Sequence, residues 1–255
     1  MNKIRGIVFI FGVSVASSFG YTAYGPFAKG ETPQKVAIRT CVELEKKTHE
    51  QTGNATDVWR YAKSETSIAP FVKLRRIKNN AGDTCEITVN DKDEKPLCAL
   101  ATDDMPGDYF TVFTADLNQD GEPDFMVNIQ CMGCGLAADG STTTFLLSEK
   151  GKYTATQFYS YGFRPEDIVR LKPNGPCYFI HNDLIGNGAE KTKDGRKHNF
   201  WVYQLYRFNG KKMVEANKDD ARFPKWVWYT DKENHQETDQ LTADQKTRLL
   251  RKKDK

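Results

Sequence analysis

An acidic loop near the middle of this 255-residue chain has the residue types and spacing to bind a metal ion. The loop covers 116–124 with the sequence DLNQDGEPD, and its first, third, fifth and ninth residues offer side-chain oxygens. Gly121, the sixth residue, permits the sharp turn that folds those oxygens inward. The first, fifth and ninth residues are carboxylates, which repel one another unless a cation neutralises them, so the pattern favours a hard cation such as calcium. The alternative is a plain turn, because Asp, Asn and Gly also favour turns without a metal.

The residues around the loop separate it from two familiar calcium motifs. An EF-hand carries a bidentate Glu at its twelfth position, where this chain has Val127. A dockerin-type loop runs into a helix, whereas residues 125–130 alternate as a strand.

Residues 113–128 instead resemble the calcium-binding loops of FG-GAP and VCBS-type repeats, in which the loop joins two strands. The chain contains one copy, and a propeller needs several repeats at a fixed period, so we expect the ion site without the propeller. The resemblance implies a calcium ion held by four side chains and the main-chain carbonyl of the seventh residue. In this sequence these ligands are Asp116, Asn118, Asp120, Glu122 (main chain) and Asp124.

The first 20 residues have the features of a secretory signal peptide. A basic start with Lys3 and Arg5 precedes an apolar stretch over 6–15, which is shorter than the ~20 residues of a membrane-spanning helix. Small residues permit cleavage after Ala16 or Gly20, and the alternative is an uncleaved anchor. We therefore expect a signal peptide over 1–20 and a single calcium-binding β-rich domain over 26–255. The protein would be secreted or periplasmic, with no stable membrane span after cleavage.

The charge balance argues against a nucleic-acid partner. The net charge of +3 includes Lys3 and Arg5 of the signal peptide. A nearly neutral chain without a concentrated basic face is a poor ligand for phosphate backbones. We expect a protein or glycan partner instead.

The cysteine count predicts disulfides, because an exported chain with an even number of cysteines usually pairs them. Cys85 and Cys98 flank a turn over 90–96 and are the favoured pair. The remaining pairs would be Cys41 with Cys177 and Cys131 with Cys134. The last two form a C-x-x-C motif, for which redox and zinc roles are the alternatives; the sequence lacks a long following helix and a second zinc-ligand pair.

The expected architecture is mainly β, an antiparallel β-domain with a flanking N-terminal and C-terminal helix. Thr32-Pro33 starts the N-terminal helix, with an apolar stripe from Val36 to Thr48; an alternating strand through Val36, Ile38, Val42 and Leu44 is the alternative. Residues 66–229 are mostly strands and turns.

Three local patterns predict further elements of the chain. Residues 200–206 are apolar on both alternating faces and predict a central strand. Asn209-Gly210 predicts a two-residue hairpin turn. Thr242 and Gln245 form a capping box for the C-terminal helix, which would dock through three leucines: Leu241, Leu249 and Leu250.

The favoured function is binding or interaction, and a secreted hydrolase is the alternative. His181, Asp183 and His198 could converge with Glu190 for general acid–base work, although the sequence has no nucleophile elbow, phosphate loop or H-E-x-x-H motif. An immunity or inhibitor protein is a third class that no motif singles out. Trp226 and Trp228 share a strand face and would stack on sugars if exposed, or belong to the core if buried.

Overall fold

The computed structural model describes residues 33–51, 54–78, 84–102, 110–130, 140–186, 191–228 and 241–253. Over these residues the chain forms three antiparallel β-sheets and one α-helix, which confirms the mainly β, antiparallel class. The predicted signal peptide lies outside the described residues. In the part of the chain that is described, no helix is long and apolar enough to cross a membrane.

Most consecutive strands pair with each other as antiparallel hairpins. In chain order they are β1 Gln34–Lys35, β2 Arg39–Thr40, β3 Val42–Gln51, β4 Asn54–Ala62, β5 Phe71–Lys78, β6 Thr84–Asn90, β7 Pro96–Thr102, β8 Phe110–Ala115, β9 Asp124–Gln130, β10 Gly140–Glu149, β11 Lys152–Tyr161, β12 Ile168–Arg170, β13 Cys177–Gly186, β14 Asn199–Asn209, β15 Lys212–Glu215, β16 Lys225–Trp228 and α1 Ala243–Lys253.

The middle sheet has the strand order β11-β10-β9-β8-β2 and carries the acidic loop. The N-terminal sheet, the meander β3 to β7, packs on one of its faces. Trp59, Leu74 and Ile87 of the N-terminal sheet share a buried core with Val127 and Leu146 of the middle sheet. This core fixes the two strands that enter and leave the acidic loop.

The C-terminal sheet has the order β1-β12-β13-β14-β15, with β16 also paired to β14. It packs on the other face of the middle sheet, where the rings of Phe179 and Phe208 lie 4.9 and 5.5 Å from the ring of Phe145. Because successive side chains of a strand point to opposite faces, Phe145 and Leu146 enter different cores. The middle sheet is therefore buried on both sides.

Strand β14 confirms the prediction of a central strand. Trp201 and Leu205 lie in a core on one face. Phe200 and Val202 lie in a core on the other face, together with Leu249 of α1.

The C-terminal helix is confirmed with its predicted cap. The Thr242 N–H donates to Gln245 Oε1 at 2.9 Å, and the Gln245 N–H donates to Thr242 Oγ1 at 3.2 Å. This reciprocal pair satisfies two helix-terminal N–H groups. Leu241 and Leu249 are buried and Leu250 is partly buried in the core beneath the helix.

The predicted N-terminal helix is wrong, because residues 34–51 contain β1, β2 and β3. The sequence of β3, VELEKKTHEQ, is rich in Glu and Lys, which favour helix locally. However, β3 pairs with β4 along its length, and this non-local pairing overrides the local preference. The alternative of a strand holds at Val42 and Leu44.

The predicted hairpin between β14 and β15 is confirmed, with its turn one residue further on. Asn209 pairs with Lys212, so Gly210 and Lys211 form the turn. Gly210 has φ 55°, a left-handed conformation that glycine adopts without steric cost.

The predicted disulfide between Cys85 and Cys98 is not formed. The register of β6 with β7 places Cys85 opposite Thr102 and Cys98 opposite Val89. The two cysteines are therefore offset along the hairpin, and flanking the same turn does not make them face each other.

The predicted pair of Cys41 and Cys177 is also not formed. Cys41 lies in the core between the middle and N-terminal sheets, whereas Cys177 lies in the core between the middle and C-terminal sheets. The middle sheet separates them. Cys131 and Cys134 lie outside the described residues.

Candidate metal centre

The acidic loop connects β8 to β9, and Ala115 pairs with Asp124 at its base. Gln119 and Gly121 have φ 64° and 87°, so the chain reverses through two left-handed residues. The Gln119 side chain is anchored, because its Nε2 donates to the carbonyl of Gly175 at 2.9 Å.

Asp124, the ninth residue of the loop, is completely buried (0 % exposed). Its Oδ2 accepts the N–H groups of Leu117 at 2.7 Å and Asn118 at 3.3 Å, and its Oδ1 accepts the N–H of Ser148 at 2.7 Å. Burial raises the pKa of Asp124 to about 6, and these hydrogen bonds offset the effect only in part. The carboxylate is therefore charged at neutral pH although it has lost its water.

The other predicted ligands close the loop through local hydrogen bonds. Asp116 Oδ2 accepts the Gly121 N–H at 3.2 Å, and Asp120 Oδ1 accepts the Glu122 N–H at 2.9 Å. Asn118 Oδ1 accepts the Asp120 N–H at 3.2 Å. These are the side-chain-to-backbone turns that Asp and Asn favour, and they keep the predicted ligands in one compact loop.

Ser148, at the end of β10, is a site residue that the sequence analysis missed. Its Oγ lies 2.8 Å from Asp124 Oδ1 and 3.3 Å from each carboxylate oxygen of Asp120. A hydroxyl has one proton to donate, so two carboxylates converge on a single donor. Ser148 is far from the loop in sequence, and only the pairing of β9 with β10 brings it there.

The loop is also tied to two neighbouring turns. Asn118 Nδ2 donates to the carbonyls of Ser148 at 2.6 Å and Gly210 at 3.3 Å, and Glu122 Oε2 accepts the Gly151 N–H at 3.2 Å. The loop therefore joins the β10–β11 turn of the middle sheet to the β14–β15 turn of the C-terminal sheet.

The pKa of Tyr153 indicates a region of negative electrostatic potential beside the loop. Its hydroxyl donates to the Pro123 carbonyl at 2.8 Å. Its pKa is raised, first by burial and then by the negative charges of Asp124, Glu122 and Asp120. A cation in this region would be attracted to all three carboxylates.

The donor set is made of oxygen atoms only, as calcium prefers, but it is not drawn together around one point. Across the described residues, no group of three or more His, Cys, Asp or Glu side chains is arranged to hold a metal ion. Asp120 and Asp124 converge on Ser148, whereas Asp116 contacts Gly121 on its own side of the loop.

Two residues of the alternative hydrolase site form a buried pair on β13. His181 and Asp183 are 6 % and 3 % exposed and point to the same face because they are two residues apart. His181 Nε2 lies 2.7 Å from the Tyr159 carbonyl, and a carbonyl only accepts, so this nitrogen carries the proton. Glu190 lies outside the described residues.

His198 is not brought to this pair. His181 is paired with Gln204 and Asp183 with Val202, and His198 precedes β14. At about 3.4 Å per residue, His198 is ~20 Å from the row of His181 and ~13 Å from the row of Asp183. The three predicted residues do not form one site.

Trp226 belongs to the core. It is 1 % exposed and packs edge-on against Phe200, with 5.8 Å between ring centroids. It is therefore not available to stack on a sugar.

Comparison with known proteins adds no family: no protein-family model, curated protein or solved structure matches this chain.

Proposed function

We propose that this chain is an exported binding domain, secreted or periplasmic, whose fold is stabilised by calcium at the acidic loop. The partner would be a protein or a glycan. The observation that carries the metal proposal is Asp124, a carboxylate that is 0 % exposed and whose contacts are all neutral donors.

The physical argument is the cost of that buried charge. Amide and hydroxyl groups of Leu117, Asn118 and Ser148 stabilise the ionised form, yet its pKa is raised to about 6. A divalent cation beside it would replace the lost hydration with a full opposite charge. Calcium would be held by Asp124 and the other residues implied by the loop pattern: Asp116, Asn118, Asp120 and the carbonyl of Glu122.

The expected role of the ion is structural. The loop contacts the turns that contain Gly151, Gly175 and Gly210, so an ion that fixes the loop also fixes the junction between two sheets. The separation of His198 from His181 and Asp183 favours binding over the hydrolase alternative. Cys131 and Cys134 remain the candidate disulfide.

Thermal unfolding of the purified domain in calcium and in EDTA tests the metal proposal. A single loop on an exported module suggests a Kd of roughly 10⁻⁵ to 10⁻³ M, and free calcium at about 100 times Kd adds ~2.7 kcal/mol. For a chain of this size we expect Tm to rise by about 5 to 10 °C.

The variant Asp120→Ala should lose this response, whereas Asp93→Ala, the same change in the exposed β6–β7 turn, should keep it. Identical wild-type melting curves in calcium and EDTA would show that the loop is a plain turn.

A further inference from the structure

A groove crosses the face of the N-terminal sheet that is turned away from the middle sheet. Its volume is about 580 Å³, within the ~300–1,000 Å³ typical of small-ligand sites. We name it the outer groove. Its lining includes Thr56, Lys73, Arg75, Thr88, Asn90 and Glu94.

Irregular pairing accompanies the concave shape of the sheet. The register of β3 with β4 shifts between Glu43 and Glu45, and the register of β6 with β7 shifts between Val89 and Asn90. Such shifts bend the strands that contain them. Polar residues on an uncovered antiparallel face are normally exposed, but Thr88 and Asn90 are 8 % and 4 % exposed. They form the floor of the groove.

A hydrogen-bond chain fixes the orientation of this floor. Asn90 Nδ2 donates to Thr88 Oγ1 at 2.7 Å, and Thr88 Oγ1 donates to the Lys73 carbonyl at 3.4 Å. The amide oxygen of Asn90 receives no hydrogen bond from any described residue, and it can accept one from a ligand hydroxyl. A buried polar floor with a fixed direction is a recognition feature rather than a solvated surface.

The charged side chains that line the groove are two cations, Lys73 and Arg75, and two anions, Glu86 and Glu94. Arg75 pairs with Glu86 at 4.0 Å, and Glu94 pairs with Arg60 at 3.1 Å. Over the described ranges no ion pair involves Lys73, which lies on the central strand β5. The groove therefore offers one positive charge beside hydroxyl and amide groups, and it complements an anion that also carries hydroxyls.

We propose that the outer groove binds an anionic saccharide, with a sugar carboxylate on Lys73 and sugar hydroxyls on Asn90 and Thr56. This inference rests on the proposed binding function and names its ligand class. A peptide partner is disfavoured because the lining lacks the large apolar or aromatic pockets that anchor side chains in peptide sites.

The test is calorimetric titration of the calcium-loaded domain with digalacturonate, with neutral lactose and an acetylated Glu-Glu dipeptide as competing probes. We expect digalacturonate to bind at least tenfold more tightly than either. Lys73→Gln should weaken it at least tenfold. Lys218→Gln, the same change at an exposed residue of the C-terminal sheet region, should bind as the wild type does.

Thr88→Val keeps the shape of the floor but removes the hydroxyl that orients Asn90, and it should weaken binding about threefold to tenfold with an unchanged far-UV spectrum. No binding of digalacturonate, equal binding of lactose, tighter binding of the dipeptide, or an unaffected Lys73→Gln variant would overturn the proposal. The two proposals are tested by different measurements: the titration, repeated in EDTA, tests saccharide binding, and the melting curves in calcium and EDTA test the metal site.

Discussion

In each of two turns of this protein, one aspartate accepts several hydrogen bonds. The pKa values of these two aspartates are shifted in opposite directions. Asp124 in the acidic loop is completely buried, and its pKa rises to about 6. Asp194, between β13 and β14, has an exposed side chain that accepts from Thr192 Oγ1, from the Arg196 N–H at 3.0 Å and from His198 Nε2 at 2.8 Å, and its pKa is lowered. Both carboxylates accept several hydrogen bonds, so the difference comes from burial. Desolvation outweighs the donors in the acidic loop, whereas at Asp194 the hydrogen bonds from Thr192, Arg196 and His198 outweigh the smaller cost of desolvation.

This contrast is the reason why we propose a cation at the acidic loop and not at Asp194. The charge at Asp194 is stabilised by its own turn, and its loss on protonation would be felt only in acid. The charge at Asp124 is disfavoured by its surroundings, so the folded state binds a proton more readily than the unfolded chain does, and we propose that a metal ion takes this role at neutral pH.

Removing each aspartate gives the largest expected difference between the two turns. Asp124→Ala leaves the buried N–H groups of Leu117 and Ser148 without an acceptor, and each such loss costs about 1–3 kcal/mol. We expect urea denaturation in EDTA to show a loss of roughly 3 to 5 kcal/mol. Asp194→Ala should change stability much less, because the exposed donors can turn to water and the Thr192 hydroxyl has the Arg196 carbonyl as a second acceptor. Equal effects in the two variants would contradict the role assigned to burial.

The pH dependence of stability should separate the turns next. Because the pKa of Asp124 is raised, its contribution is fully present below the unfolded pKa of about 3.9 and is lost as pH rises through about 6. In EDTA, the free energy of unfolding should therefore fall between about pH 4 and pH 6, by at most ~3 kcal/mol from this group. Calcium should weaken this trend, because it binds the ionised carboxylate.

Asp167, in the turn before β12, is a half-buried carboxylate, and desolvation raises its pKa to about 7. Its titration also lowers the free energy of unfolding as the pH rises. The contribution of Asp124 is therefore measured as the difference in the free energy of unfolding between the wild type and Asp124→Asn at each pH. A difference that does not change between pH 4 and pH 6 would show that Asp124 titrates normally.

Whether a feature could be predicted from the sequence depends on whether its cause lies in neighbouring residues or in residues distant along the chain. The capping box of α1, the β14–β15 hairpin and the doubly apolar strand β14 depend on neighbouring residues, and all three are confirmed. Strand β3 and the two pairs of Cys85 with Cys98 and of Cys41 with Cys177 depend on which strands meet and in what register, and those predictions are wrong.

The candidate site divides in the same way. The loop residues from Asp116 to Asp124 could be chosen from sequence because their spacing is local. Ser148, Gly151 and Gly210 could not, because they reach the loop only through hairpin pairing of β9–β10, β10–β11 and β14–β15. No short-range signal in a Ser or a Gly indicates such a contact.

Two buried serines of the middle sheet allow the smallest and most specific test. Ser148 and Ser160 are 0 % and 1 % exposed. The hydroxyl of Ser148 lies between Asp120 and Asp124, whereas the hydroxyl of Ser160 has no hydrogen-bond partner among the described residues. Ser148→Ala should cost about 1–3 kcal/mol in EDTA, because it removes a donor to a charged acceptor.

Ser160→Ala should be neutral or stabilising, since it removes a buried hydroxyl that makes no bond. Denaturation midpoints of the two variants, measured side by side, give the comparison. If Ser148→Ala is as neutral as Ser160→Ala, the hydroxyl does not stabilise the carboxylates, and their charges must be balanced by something other than this donor.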